Sequence, residues 1–253
     1  MFRDINNMEM ERNYQMEAAT GKITGARANT IFGNVVNVAA ATAMLAWEQQ
    51  IPYVFQTSAV ALELVSDSAS DAAAGTGAKL VAVTTLDANC NEVVSLVVPN
   101  GTTPVALPGT YLHHNMAIVL DSGSNFTNVG NITIRTVSGA VAQGFIAAGV
   151  GVSRQGLFTV PAGMEYAVNN FYFVHSVIGV TTGGVRMKPF LRFPNGTIFQ
   201  GIWQNVNSNQ VNVITLPTPF VAAEKITLGY NLDNATTSTG LFAIGVTGVL
   251  RTV

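Results

Sequence analysis

Few side chains in this chain could do chemistry: 253 residues hold three histidines, one cysteine and 14 acids. His113 and His114 are adjacent, and an extended backbone sends adjacent side chains to opposite faces, so the two cannot easily share one metal ion. With His175 far along the chain, the pattern predicts packed or interface histidines and no zinc site. The run Asp87-Ala88-Asn89-Cys90-Asn91-Glu92 starts like a calcium loop, with oxygen ligands at alternate positions. It departs from one at the sixth position, Glu92 in place of Gly, and at the twelfth, Val98 in place of a bidentate Glu. A tight turn between strands is the expectation. Asp67 and Asp71, in DSASD, predict a solvated loop that holds a cation at most opportunistically. Cys90 is expected to be a small, buried or half-buried residue, since a single cysteine allows neither an intramolecular disulfide nor a multi-cysteine metal site.

The glycine-rich runs fare no better. GTGAK lacks the phosphate-loop spacing and the hydroxyl residue after its lysine, and in AAGVGVSRQG Arg154 stands where a dinucleotide fingerprint needs its third glycine. No spacing singles out a carboxylate pair of the kind that cleaves glycosides. The expectation is a protein that is not an enzyme, with no catalytic residues, no cofactor and no metal.

Composition points the same way. Only 10% of residues are charged and 48% are apolar, and Thr, Asn, Ser and Gly fill much of the rest. A surface so poor in charge suits subunit interfaces, where charges would have to be desolvated, so an oligomer is expected. Residues 28–134 carry seven acids and one base, Lys79, whereas residues 135–253 carry three acids and seven bases. This polarity favours head-to-tail contacts between subunits. Neither segment clusters enough Lys and Arg to predict nucleic-acid binding. No run is long and apolar enough for a membrane helix, and the start of the chain has no apolar leader core, so assembly in the cytoplasm is expected.

The elements that must carry these residues are strands. Short β-branched runs such as VALELV, KLVAVTTL, EVVSLVV, NITIRTV and QVNVITL alternate with Gly, Asn, Asp and Pro. From Val60 onward no helical period lasts ten residues, so an all-β, antiparallel sandwich of one or two modules is predicted. Asn100-Gly101 and Asn195-Gly196 read as hairpin tips, and Pro161 to Gly163 as a turn closing a strand. The aromatics Phe171, Tyr172, Phe173, Phe190, Phe193, Phe199 and Trp203 are expected to share a core. Three regions are predicted: an arm, residues 1–27; an acidic β-module, 28–138; and a basic, aromatic-rich sandwich, 139–253. The arm is read as extended or short-helical, capped by Asp4 and ended by Gly21. Its Ile5, Met8, Met10, Tyr14 and Met16 make no clean stripe and are expected to bury themselves on a partner subunit.

Residues 66–105, SDSASDAAAGTGAKLVAVTTLDANCNEVVSLVVPNGTTPV, followed by TYLHHNMAIVLDSGSNFTNVGNITI, resemble a recurring segment of tailed-bacteriophage virion structural proteins. Gly75, Gly77, Leu86, Asp87, Glu92, Asn100, Gly101, Thr102, Thr103, Gly130 and Asn131 stand at the pattern's positions, and Thr159 to Gly163 match its Thr-Val-Pro-Ala-Gly strand. Cys90, Pro99 and His113-His114 depart from it. The resemblance implies a jelly-roll-like sandwich in a phage particle: a capsid cement or decoration protein, trimeric and bound to the major capsid protein, or alternatively a tail, baseplate or head fibre that touches the host.

Overall fold

A computed structural model describes residues 2–3, 9–10, 14–38, 44–176, 185–201, 204–206, 210–233 and 238–253. In chain order these form β1 (Phe2–Arg3), β2 (Glu9–Met10), α1 (Tyr14–Ala19), β3 (Ala26–Val38), β4 (Met44–Leu45), β5 (Leu62–Ser66) and β6 (Ala78–Leu86). There follow β7 (Glu92–Val97), β8 (Val105–Ala106), β9 (His113–Ser122), β10 (Ile132–Thr136), β11 (Ala142–Ile146), β12 (Leu157–Thr159) and β13 (Met164–Ser176). The last are β14 (Val185–Arg192), β15 (Ile198–Gln200), β16 (Gln204–Val206), β17 (Gln210–Ala222), β18 (Thr227–Asp233) and β19 (Ser238–Thr252). All the pairings are antiparallel, as the alternating sequence predicts.

Two sandwiches result. The first faces a β11-β10-β5-β8 sheet with a β7-β6-β9 sheet. Its core holds Leu62, Leu64, Val81, Val83, Ile132, Ile134 and Ile146, with β5 and β10 each contributing every second residue. The second faces β17-β13-β19-β3 with β12-β18-β14-β15, to which β4 and β16 add short pairings. Its core includes Val35, Tyr166, Val168, Phe173, Tyr230, Leu232, Ile244 and Leu250. In β13 the inward positions change parity, from Tyr166 and Val168 to Phe173 and His175, because a bulge lies between Val168 and Asn170 in both of its ladders. One extra residue there re-aims every side chain that follows.

The sequence-based boundaries need correction. Residues 28–38, assigned to the acidic module, belong to β3, the edge strand of the second sandwich, which pairs along its length with β19. Position 138 is no boundary either: Gly139 and Ala140, at φ 80° and 49°, turn the β10–β11 hairpin inside the first sandwich. The chain crosses between the sandwiches beyond β11, before β12. Both errors have one cause: strand pairing joins segments far apart in sequence, whereas composition shifts are local.

Turn chemistry is read correctly at two sites. Gly196, φ 87°, closes the β14–β15 hairpin, with its N–H donating to Phe193 O. Gly163, φ 70°, follows Pro161 where β12 gives way to β13. Asn100-Gly101 is different: it links β7 to β8, which lie in opposite sheets, so it is a crossing and not a hairpin tip. The aromatic expectation holds in part. Phe173 and Phe190 are buried, Phe193 and Phe199 reach the surface, and Trp203 lies outside the described residues.

A third apolar cluster, Leu45, Trp47, Ala142, Leu157 and Phe190 with Tyr53 and Phe55, fills the seam between the sandwiches. Its aromatics meet edge to face, Trp47–Tyr53 at 5.3 Å, Tyr53–Phe55 at 5.0 Å and Phe55–Phe190 at 6.3 Å between centroids, the arrangement that ring quadrupoles favour.

Candidate functional site

The glycine-rich segment that carries the phage resemblance forms one knot around Asp71. This carboxylate is fully buried, which corrects the expectation of a solvated loop. Its Oδ1 accepts from the backbone N–H of Ala78 and Val129, both at 2.8 Å. Its Oδ2 accepts from Ser66 Oγ at 2.6 Å and the N–H of Gly130 at 2.9 Å. The backbone of Asp71 also takes part, its carbonyl accepting from the N–H of Gly101 at 2.7 Å. The nearby glycines leave no room for side chains: a Cβ on Gly77 would stand 2.0 Å from Asp71 Oδ1, and one on Gly75 would stand 2.0 Å from Ser70 O. Asp67 ties the same loops from outside by accepting from both the N–H and the Nδ2 of Asn131, each at 2.8 Å. A buried anion saturated by donors fixes loop geometry and has no lone pairs spare for a ligand.

The Asp87 turn is also self-contained. Asp87 Oδ1 accepts from the N–H groups of Asn89 and Asn91, and Oδ2 from Asn91 Nδ2. These bonds, the Asn91 ones foremost, hold the carboxyl below its usual range. Cys90 sits in this turn at φ 65°, buried, with its thiol pushed up chiefly by desolvation. Among the described residues no three His, Cys, Asp or Glu side chains gather as a metal site would require.

His113 and His114 are both buried, at the start of β9 where they pair with Leu86 and Thr85 of β6. The ring of His114 lies against Gly144, and its Nδ1 donates to Gln155 Oε1 at 3.2 Å. Burial lowers both histidines to about 4, assisted at His113 by the charge of Arg192. Both rings are therefore neutral at neutral pH.

Among the described residues of the arm, Tyr14–Ala19 is helical, packed on β3 and β19 through buried Ala18. Gly21, φ 70°, ends it as predicted, with the Lys22 N–H donating to Glu17 O and that of Gly21 to Ala18 O. Asp4, Ile5 and Met8 lie outside the described residues. Met10 falls in β2, which pairs with β1 as a short hairpin, and Tyr14 opens α1. Met16 points to solvent, 63% exposed.

The expected charge polarity is partly used within the chain. Arg27 meets Glu92 at 2.6 Å across the two sandwiches, Arg135 meets Glu63 at 2.7 Å, and Arg154 meets Glu48 at 3.4 Å. More open surface is apolar than the sequence reading foresaw. On the outer face of the β7-β6-β9 sheet, Val94 and Leu96 are 57% and 63% exposed, joined by Met116 and Leu120, with Phe32 of β3 lining the same crease as Val94 and Met116. The signal was present in EVVSLVV, where both strand faces are apolar, unlike the alternation of a half-solvated strand.

No family model and no curated protein matches this chain. Among solved structures it is similar to infectious bursal disease virus of the Gx strain, at 10% identity over 90% of this chain and 71% of that one, with a TM-score of 0.23. It is similar also to the VP2 subviral particle of infectious bursal disease virus, at 11% identity over the same shares and a TM-score of 0.22.

Proposed function

We propose that this chain is a non-enzymatic structural protein of a virus particle, a head cement or decoration protein of a tailed bacteriophage. In this reading it is a homotrimer that lies on the capsid surface after assembly in the host cytoplasm. The observation that carries the reading is the open apolar face of the β7-β6-β9 sheet in a chain only 10% charged. A contiguous apolar patch on a soluble surface marks an interaction site. The motifs of the phage resemblance support it from another side, since they build the rigid loop knot behind that sheet. In this reading the arm, through Ile5, Met8, Met10, Tyr14 and Met16, holds the major capsid protein.

The test is to incubate purified protein with genome-free capsids and follow retention and heat resistance. The reading expects saturable binding in copies comparable to the capsid protein, a raised disruption temperature, and loss of both on removing residues 1–13. Failure to bind, or binding that leaves heat resistance unchanged, overturns it. A fibre or attachment protein would instead be present in few copies per particle, which quantified gel bands distinguish.

A further inference from the structure

Where the sandwiches meet beside the aromatic seam, a cleft of about 430 Å³ opens to solvent. Its walls come from five separate pieces of chain: the linker at Gln56, the Asp87 turn at Asn89, the start of β9 at His113, the β14–β15 hairpin at Arg192 and Asn195, and the turn before β18 at Lys225. Among the described residues two cations face it and no carboxylate lines it. Among the described residues neither Arg192 nor Lys225 makes an ion pair, although most other bases in the second sandwich do. Two acids lie near Cys90 in its wall without lining it, and both have hydrogen-bond partners of their own: Asp87 within its own turn, and Glu224 accepting from the N–H of Gly163 at 2.6 Å. Arg192 is held in place, its guanidinium 4.6 Å above the ring of Phe55, the residue that links Tyr53 to Phe190 in the aromatic ladder.

We propose that this cleft binds a carboxylate flanked by hydroxyls, the chemistry of an acidic sugar. A guanidinium fork matches a carboxylate in a bidentate geometry, and Lys225 adds a second positive charge. The remaining polar wall argues against a bare inorganic anion. Gln56 and Asn89 each carry an acceptor as well as donors, and neutral His113 has one of each, while Asn195 Oδ1 accepts from the N–H of Thr197 and leaves its amide as a donor. Sugar hydroxyls satisfy acceptors, whereas an inorganic anion leaves them unmet. Leu112 and Pro194 supply the apolar patch that the C–H face of a sugar ring needs. A cleft between two modules with a few convergent polar groups is where small ligands typically bind. This site is independent of where on a particle the protein resides.

The experiment is calorimetric titration of the whole protein with D-glucuronate, glucose, acetate and inorganic phosphate. Glucuronate is expected to bind with a Kd of roughly 1 mM or tighter, and the other three at least about tenfold more weakly. Arg192→Gln and Lys225→Gln should each weaken glucuronate by about tenfold or more, and Arg192→Lys by less, because it keeps charge but loses the fork. Unchanged thermal unfolding of each variant shows that the fold survives; if Arg192→Gln proves unstable through loss of its seat on Phe55, Lys225→Gln carries the test. Absence of glucuronate binding, or binding unaffected by Lys225→Gln, overturns the proposal, and phosphate binding as tightly as glucuronate overturns the sugar assignment.

Discussion

Replacing Asp71 tests directly whether the glycine-rich loops are a structural knot or a site for a cation. In Asp71→Ala the acceptor of three backbone N–H groups and one hydroxyl disappears. Each buried donor left unmet costs about 1–3 kcal/mol, and water entering the vacated space recovers part of it, so a loss of about 4 kcal/mol is expected. Asp71→Asn is the finer probe. Its one oxygen can still serve Ala78 and Val129, and the Ser66 hydroxyl can turn to accept from the new amide. The N–H of Gly130 then faces a donor, which gives a loss of about 2 kcal/mol. Urea unfolding followed by circular dichroism and tryptophan fluorescence measures both, with EDTA or millimolar calcium added in parallel. The knot predicts the order Ala worse than Asn worse than wild type, and no effect of calcium or EDTA. If Asp71→Asn lies within about 0.5 kcal/mol of wild type, as surface substitutions do, or if EDTA destabilises the wild-type protein, the reasoning is refuted.

Two further outcomes follow from the same geometry. His113 and His114 titrate near 4 in the fold against 6.5 unfolded, so the unfolded chain binds more protons between these values. Their contribution is complete above pH 6.5 and is lost as pH falls toward 4, by up to about 3 kcal/mol each. A His113→Asn, His114→Asn double variant should show a shallower fall in stability over that window, and profiles parallel to wild type would contradict the burial argument. Gly77→Ala drives a Cβ into Asp71 Oδ1 and Val129, for an expected cost of about 3 kcal/mol. Gly149→Ala, at φ 76° with nothing within 4 Å, should cost only about 1 kcal/mol of backbone strain, and thermal unfolding ranks the two.

What the sequence revealed was what short segments settle for themselves. Leu62, Leu64, Ile132 and Ile134 declare their strands because alternation needs no partner to be read. Gly21, Pro161 and Gly196 mark chain reversals because their φ preferences are intrinsic. The role of Asp71 was hidden because two of its donors, Val129 and Gly130, stand 58 and 59 residues away. Asn100-Gly101 has hairpin composition yet serves a crossing, since a turn residue specifies backbone angles and not which sheet receives the next strand. The cleft at Arg192 was hidden for a related reason: its walls are turns, a linker and strand ends that only the packing of the two sandwiches brings together.

The pairing of β3 with β19 has a consequence for how the molecule is made. Ala26 sits opposite Arg251, so the second sandwich holds the whole first one as an insertion, and its central strand β19 is synthesised after both strands it pairs with. The first sandwich, complete by about residue 153, can close during synthesis, while β3 and β13 wait with open edges for the strand that fits between them. The outer sandwich therefore cannot close until β19 has been made, and its contact order is high, hence its folding is slow. Nascent chains stalled after residue 176 should show a protease-resistant core corresponding to the inner sandwich alone, with residues 26–38 still open to cleavage.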